Sequence, residues 1–119
     1  MKRLLIVLGL LAGSATAQQY IQATNAPGAV LRGLDKMNGV TRDLELRAGE
    51  TTEFGPLQIT LNECRYPVGN PAGDAYAEVL VSDPIAGQVL FSGWMVASTP
   101  ALSAMDHARY DIWVMRCTT

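Results

Sequence analysis

From Gly28 onward the chain is a succession of short stretches in which apolar and polar side chains alternate, each closed by glycine, proline, asparagine or aspartate. A period of two turns one face of an extended strand inward and the other outward, so this patterning predicts antiparallel β-structure. Asn38-Gly39 predicts a hairpin with a two-residue type I′ turn, a geometry that needs positive φ at both turn positions. With Met37 opposite Val40, Asp35 then faces Arg42, Gly33 faces Leu44, Leu31 faces Leu46 and Arg32 faces Glu45. Residues 50–54 and 57–61 predict two further strands around Gly55-Pro56, and residues 75–82 and 88–97 two more, joined by the loop 83–87. Residues 109–117 predict a central last strand, because Trp113, Met115 and Cys117 are apolar on one face and Tyr110, Ile112 and Val114 on the other. Thr99-Pro100 has the form of an N-cap followed by proline at the first helical position, so residues 100–105 predict one short helix with Leu102 and Met105 on one side. The fold expected is all-β: a small barrel or sandwich of about seven antiparallel strands with one short helix and one disulfide.

The two cysteines sharpen this picture. Strict alternation places Cys64 on the face opposite Leu57, Ile59 and Leu61. A buried disulfide therefore requires a bulge near Asn62-Glu63, or else a strand covered on both sides. Residues 65–74, with two prolines and two glycines, read as the longest irregular stretch.

The start of the chain reads differently. Lys2 and Arg3 precede an apolar run over residues 4–12, and Ala15-Thr16-Ala17 supplies small residues for a signal peptidase. The run is shorter than the ~20 residues that cross a bilayer. We therefore expect a signal peptide over residues 1–17, cleaved after Ala17, then a flexible lead-in over 18–27 and a single β domain over 28–119. The expected location is the periplasm, with no integral membrane span. An even cysteine count in an oxidising compartment makes a Cys64–Cys117 pair the default.

Composition narrows the partners. The full chain carries 9 basic and 11 acidic side chains, and two of the basic ones, Lys2 and Arg3, belong to the expected leader. The remaining domain is acidic, which disfavours nucleic acid and anionic membranes as partners.

Candidate chemistry is sparse. His107, the single histidine, lies in Asp106-His107-Ala108-Arg109-Tyr110-Asp111, the densest polar cluster. One imidazole without a second histidine or a Cys-x-x-Cys is no metal signature, and no cofactor motif is present. His107 can serve as a general base, or it can cap the end of the short helix while Asp106 or Asp111 pairs with Arg109. A free Cys64 or Cys117 with His107 as base and Arg109 or Arg116 as oxyanion stabiliser would make a thiol enzyme, which requires the disulfide to be absent. Trp94 beside Gly93 can form an aromatic platform or a core residue over a bend in its strand. Trp94, His107, Arg109 and Tyr110 are the candidate binding residues; no residue is singled out as catalytic.

Taken together, several segments resemble one known family. These are residues 28–36 (GAVLRGLDK), 54–61 (FGPLQITL), Cys64-Arg65-Tyr66-Pro67, Phe91-Ser92-Gly93-Trp94-Met95, Ser98-Thr99-Pro100-Ala101-Leu102, and residues 107–114 (HARYDIWV) running to Cys117. In order and spacing the chain resembles the exported proteobacterial family called domain of unknown function 2155. It departs at Ala108, where the family pattern has proline. The resemblance implies a periplasmic β-domain with Cys64 and Cys117 paired, and it brings no assigned activity or catalytic residue. The function expected is non-enzymatic: a periplasmic accessory or binding protein recognising an envelope protein or another envelope component. One version is an inhibitor of an envelope hydrolase presenting the loop 65–74. The competing class is an envelope-polymer-modifying enzyme that uses His107 with nearby carboxylates or a free cysteine.

Overall fold

A computed structural model describes residues 22–119. The expected signal peptide and its cleavage site lie outside the described residues. The described chain forms eight strands: β1 (Ala23–Ala26), β2 (Gly28–Asp35), β3 (Val40–Arg47), β4 (Thr51–Phe54), β5 (Leu57–Pro67), β6 (Tyr76–Asp83), β7 (Gln88–Val96) and β8 (Tyr110–Thr118). All pairings are antiparallel. One sheet runs β1-β5-β6-β7, with β4 also on β5, and the other runs β3-β2-β8. Their inner faces enclose one core that includes Leu31, Leu57, Ile59, Leu61, Val79, Met95, Ile112 and Val114. The protein is an all-β sandwich closed by a disulfide between Cys64 and Cys117.

The chain crosses between sheets at Pro27 and at Ala48-Gly49, and backbone bonds fasten this corner. Ala48 N–H donates to the Pro27 carbonyl at 2.9 Å, and Gly49 N–H to the Leu61 carbonyl at 2.7 Å. Residues 18–21 of the expected flexible lead-in lie outside the described residues, but the part of it that is described is ordered up to the crossing at Pro27. Residues Ala23–Ala26 of that stretch form β1, pairing Ala26 with Cys64 and Ala23 with Pro67. Only Ala26 among the four is buried, so no apolar alternation announces the strand.

The hairpin forms, but two residues out of the expected register: Asp35 faces Val40, Arg32 faces Asp43 and Leu31 faces Leu44. The loop is the four residues between Asp35 and Val40. Gly39 alone takes positive φ (73°), which excludes type I′ at Asn38. Carboxylate and amide side chains hold the turn instead. Asp35 Oδ1 accepts Met37 N–H at 3.0 Å and Asn38 Oδ1 accepts Val40 N–H at 2.9 Å, both local side-chain turns that compete with the tighter loop. A shift of two keeps every side chain on its face, so Leu44 and Leu46 still point into the core.

Both cysteines reach the core through bulges. The β5–β6 register shifts between Leu61 and Glu63, which places Cys64 inward alongside Leu57, Ile59 and Leu61, as the parity argument requires. A second shift, between Val30 and Leu31 in the β2–β8 pairing, skips Met115 and turns Cys117 onto the face of Ile112 and Val114. The central placement expected for the last strand is corrected too. β8 pairs only with β2 and is an edge, and Trp113 and Met115 are half-buried on its outer side.

The predicted helix is reduced to a 3-10 turn, Pro100–Ser103, whose Thr99 makes no side-chain cap bond. Met105 enters the core while Leu102 is 82% exposed, so the two do not share a side. The irregular stretch is also shorter than expected, because β5 continues through Pro67. It is braced at its end by Asp74, which accepts Ser98 Oγ–H at 2.5 Å, Ser98 N–H at 3.0 Å and Ala75 N–H at 2.9 Å. Burial alone would raise the Asp74 carboxyl, but the Ser98 hydroxyl and these two N–H groups outweigh it and leave its pKa lowered.

Candidate functional site

The polar cluster found in the sequence sits where the chain enters β8. His107 Nδ1 accepts two backbone N–H groups, from Arg109 and from Tyr110, each at 3.0 Å. It therefore caps the entry to β8 rather than the 3-10 turn. Two donors facing Nδ1 assign the ring proton to Nε2, so the imidazole lone pair is spent on the backbone. The other side of the cluster comes from β2 and its turn. Lys36 N–H donates to the Arg109 carbonyl at 2.7 Å, and Lys36 Nζ donates to the His107 carbonyl at 2.8 Å.

Arg109 does not pair with Asp106 or Asp111, as the sequence suggested. Its guanidinium forks onto Asp35, with Nη2 to Oδ2 at 2.9 Å and Nε to Oδ1 at 3.1 Å. These bonds are the main cause holding the Asp35 carboxyl below the usual carboxylate range. Burial opposes them and the Met37 N–H reinforces them. The same pairing raises the Arg109 guanidinium further above its ordinary value. Asp35 continues the inward parity of Leu31 and Gly33 and is only 9% exposed. A carboxylate at such a position requires a partner, and that is the sequence signal by which Asp35 could have been found.

Aromatic rings link this cluster to the opposite sheet. The Tyr110 ring lies 5.4 Å from that of His107 and meets Phe54 of β4 edge-on at 5.8 Å and 82°. Arg109 stacks over Tyr110 at 5.2 Å, and Arg42 over Phe54 at 5.4 Å. Arg42 also donates to the Glu53 carbonyl at 2.6 Å, joining the β3 edge to β4.

Trp94 is elsewhere. It faces outward from β7 opposite Glu78 of β6, is 39% exposed, and has the Arg65 guanidinium 5.4 Å from its ring. Arg65 in turn contacts Glu63 at 2.8 Å. Tyr110 packs at the Leu57 end of β5, through Phe54, and Arg65 lies near the other end. Eight residue steps along β5 separate Leu57 from Arg65, ~26 Å along the strand. The structure thus brings His107, Arg109 and Tyr110 together with Asp35, Lys36 and Phe54, and it does not bring Trp94 to them. Beside the 3-10 turn lies an open groove of about 400 Å³ lined by Pro100, Ala101, Ala104, Asp111, Ile112 and Trp113.

Among the described residues no group of three His, Cys, Asp or Glu side chains could hold a metal ion. No helix among them is long and apolar enough to cross a membrane. The thiol mechanism fails on a positive observation: the chain has two cysteines, and they are bonded to each other.

A family model described as an uncharacterized protein conserved in bacteria, domain of unknown function 2155, matches residues 29–117. An uncharacterized protein of Rickettsia prowazekii (strain Madrid E) is 30% identical over 87 residues, covering 71% of this chain and 56% of the relative. The chain thus spans little more than half the length of that relative. No solved structure matches it.

Proposed function

The chain belongs to the bacterial family of domain of unknown function 2155, and we propose that it is a non-enzymatic accessory or binding protein of the cell envelope, exported to the periplasm. The observation that carries this reading is the Cys64–Cys117 disulfide, which bonds β5 in one sheet to β8 in the other. Such a crosslink belongs to an oxidising compartment and leaves no thiol for catalysis. Two of the candidate residues also serve the fold. The His107 lone pair holds two backbone N–H groups, and Arg109 holds Asp35. A crosslinked scaffold of this kind leaves its loops and exposed faces as the recognition elements.

Fractionation of cells tests the placement. Release by osmotic shock, with both cysteines resistant to alkylation before reduction, is expected. Co-purification with cytoplasmic markers and two alkylated thiols would overturn it. A His107→Ala strain tests the non-enzymatic reading, because an enzyme that uses His107 as its base loses its phenotype in that strain even if the protein stays folded.

The hydrolase-inhibitor version has one observation in its favour. Residues 68–73 are exposed and braced on both sides, by the Val68 N–H bond to the Gln22 carbonyl at 2.9 Å and by the Asp74–Ser98 pair. A loop ordered before binding loses less entropy on entering a cleft. Titration of the purified domain against lysozymes and secreted proteases is the test, and failure to inhibit any of them removes this version.

A further inference from the structure

The chain has two tryptophans, and they are matched differently. At Trp94 the Arg65 guanidinium lies 5.4 Å from the ring centre and meets the Glu63 carboxylate at 2.8 Å, so ring, cation and carboxylate form a closed set. The other cations that stack on rings among the described residues are Arg42 on Phe54 and Arg109 on Tyr110. Trp113 has none.

A carboxylate stands beside Trp113 all the same. Asp111 and Trp113 share the outer side of β8, about 7 Å apart along the strand. Both line the open groove of about 400 Å³, together with Pro100 and Ala101 of the 3-10 turn and Ala104 at its end. The arginines nearest in register and sequence are committed elsewhere. Arg32, the cross-strand neighbour of Trp113, forks onto Asp43 at 2.7 and 3.3 Å. Arg109, two residues before Asp111, forks onto Asp35 at 2.9 and 3.1 Å. The ion pairs among the described residues are those two and Arg65–Glu63, so Asp111 takes part in none. The groove thus holds a tryptophan, a carboxylate and an apolar wall, without the cation that completes the set at Trp94.

We propose that this groove receives an arginine side chain of a partner protein, its guanidinium stacked on Trp113 and bonded to Asp111 and its methylene stem against Ala101 and Ala104. Each feature of the groove selects that occupant. The Asp111 carboxylate repels an anion and attracts a cation. The indole favours a cation that is planar and weakly hydrated, which a guanidinium is and an ammonium is not. The apolar wall takes an aliphatic stem, which a bare metal ion lacks. The same three groups already hold an arginine elsewhere in the molecule, where Arg65 lies between Trp94 and Glu63. Capture of a partner's arginine gives the accessory role a partner of defined chemistry, and its biological meaning rests on that role.

Titration of the purified protein with the peptide acetyl-Gly-Arg-Gly-amide, followed by NMR at the two indole N–H signals, tests this. The Trp113 signal is expected to shift and the Trp94 signal to stay, because Arg65 already occupies that ring. The same peptide with citrulline, the neutral isostere, in place of arginine is expected to bind about tenfold more weakly, the worth of one charge-assisted hydrogen bond. Asp111→Asn is expected to weaken the arginine peptide by a similar factor with the thermal transition retained. The citrulline comparison uses the wild type and decides the matter if that variant fails to fold. A Trp113 signal that does not move in excess arginine peptide overturns the proposal, and so does an equal response to citrulline. Either result in a protein that osmotic shock releases removes the groove as a site and leaves the accessory role standing.

Discussion

The sandwich is fastened differently at its two ends. At one, Cys64 and Cys117 join the sheets covalently, next to the point where the chain itself crosses at Pro27. At the other, Phe54 of one sheet packs against Tyr110 of the other, and the Asp35–Arg109 pair and His107 hold the strand entry behind them. The first end acts mainly on the unfolded chain, by removing conformations from it, and is indifferent to pH. The second acts only in the folded state and depends on the charge of a carboxylate. A domain of this size has few other reserves, so each end should show separately in stability measurements.

The largest effect belongs to the covalent end. Replacing Cys64 and Cys117 together by alanine opens a crosslink spanning 53 positions, a loss of about 4 kcal/mol in the chain-entropy model. Denaturant unfolding of oxidised and cysteine-free protein measures it, and equal midpoints would show that the disulfide constrains nothing. Next comes packing at the other end. A Cβ added at Gly33 would stand 2.8 Å from the Phe54 ring, so Gly33→Ala forces the ring to shift from its present packing. Overpacking of this kind costs about 1–3 kcal/mol, read as a lower unfolding midpoint with the disulfide intact.

His107→Ala follows. It removes the acceptor for the Arg109 and Tyr110 N–H groups, and with net contributions of roughly 1 kcal/mol per bond the loss is about 1–2 kcal/mol. His107→Asn, which can still present an oxygen to the same groups, is expected to recover part of it. The pH profile then separates the two ends. Asp35 has a lowered pKa in the folded state, so its contribution is complete above the ordinary carboxylate value near ~3.9 and is lost as the pH falls through the lowered folded value. The stability difference between wild type and Asp35→Asn should therefore shrink on acidification below about pH 4. A difference that stayed constant into acid would mean that the Asp35 charge has no part in it. Asp43 and Asp74 are lowered as well and keep some acid sensitivity in the variant.

The covalent end was far more legible in the sequence than the polar one. Cys64 lay on the wrong parity for its strand, and a cysteine that must be buried identifies its own bulge. The matching bulge at Met115 left no trace, because Trp113, Met115 and Cys117 form an apolar series as regular as Tyr110, Ile112 and Val114 on the other face. At the polar end His107, Arg109 and Tyr110 were visible as neighbours in sequence. Their partners Asp35, Lys36 and Phe54 come from β2, its turn and β4. The inward parity of Asp35 marks a carboxylate that needs a partner, but three-dimensional pairing names that partner and brings in Lys36 and Phe54. β1 was missed because a strand held by backbone bonds and one buried alanine has no apolar pattern to read.

The hairpin shows why register is harder than face. Arg32 meets an acidic side chain in either register, Glu45 in the one expected and Asp43 in the one found, so charge matching could not choose between them. Asp35 decides it. Its carboxylate takes the Met37 N–H and the Arg109 guanidinium together, and the four-residue loop follows. The Arg32–Asp43 pair, with Nε to Oδ1 at 2.7 Å, is itself exposed on both sides, where solvent screening leaves such pairs little net worth. Arg32→Ala is accordingly expected to leave the thermal midpoint unchanged within error, the smallest effect of the series. Its use lies in the coupling. A double-mutant cycle of Arg32 with Asp43 should show a small salt-dependent interaction and one with Glu45 none, and the reverse result would move β3 back by two residues.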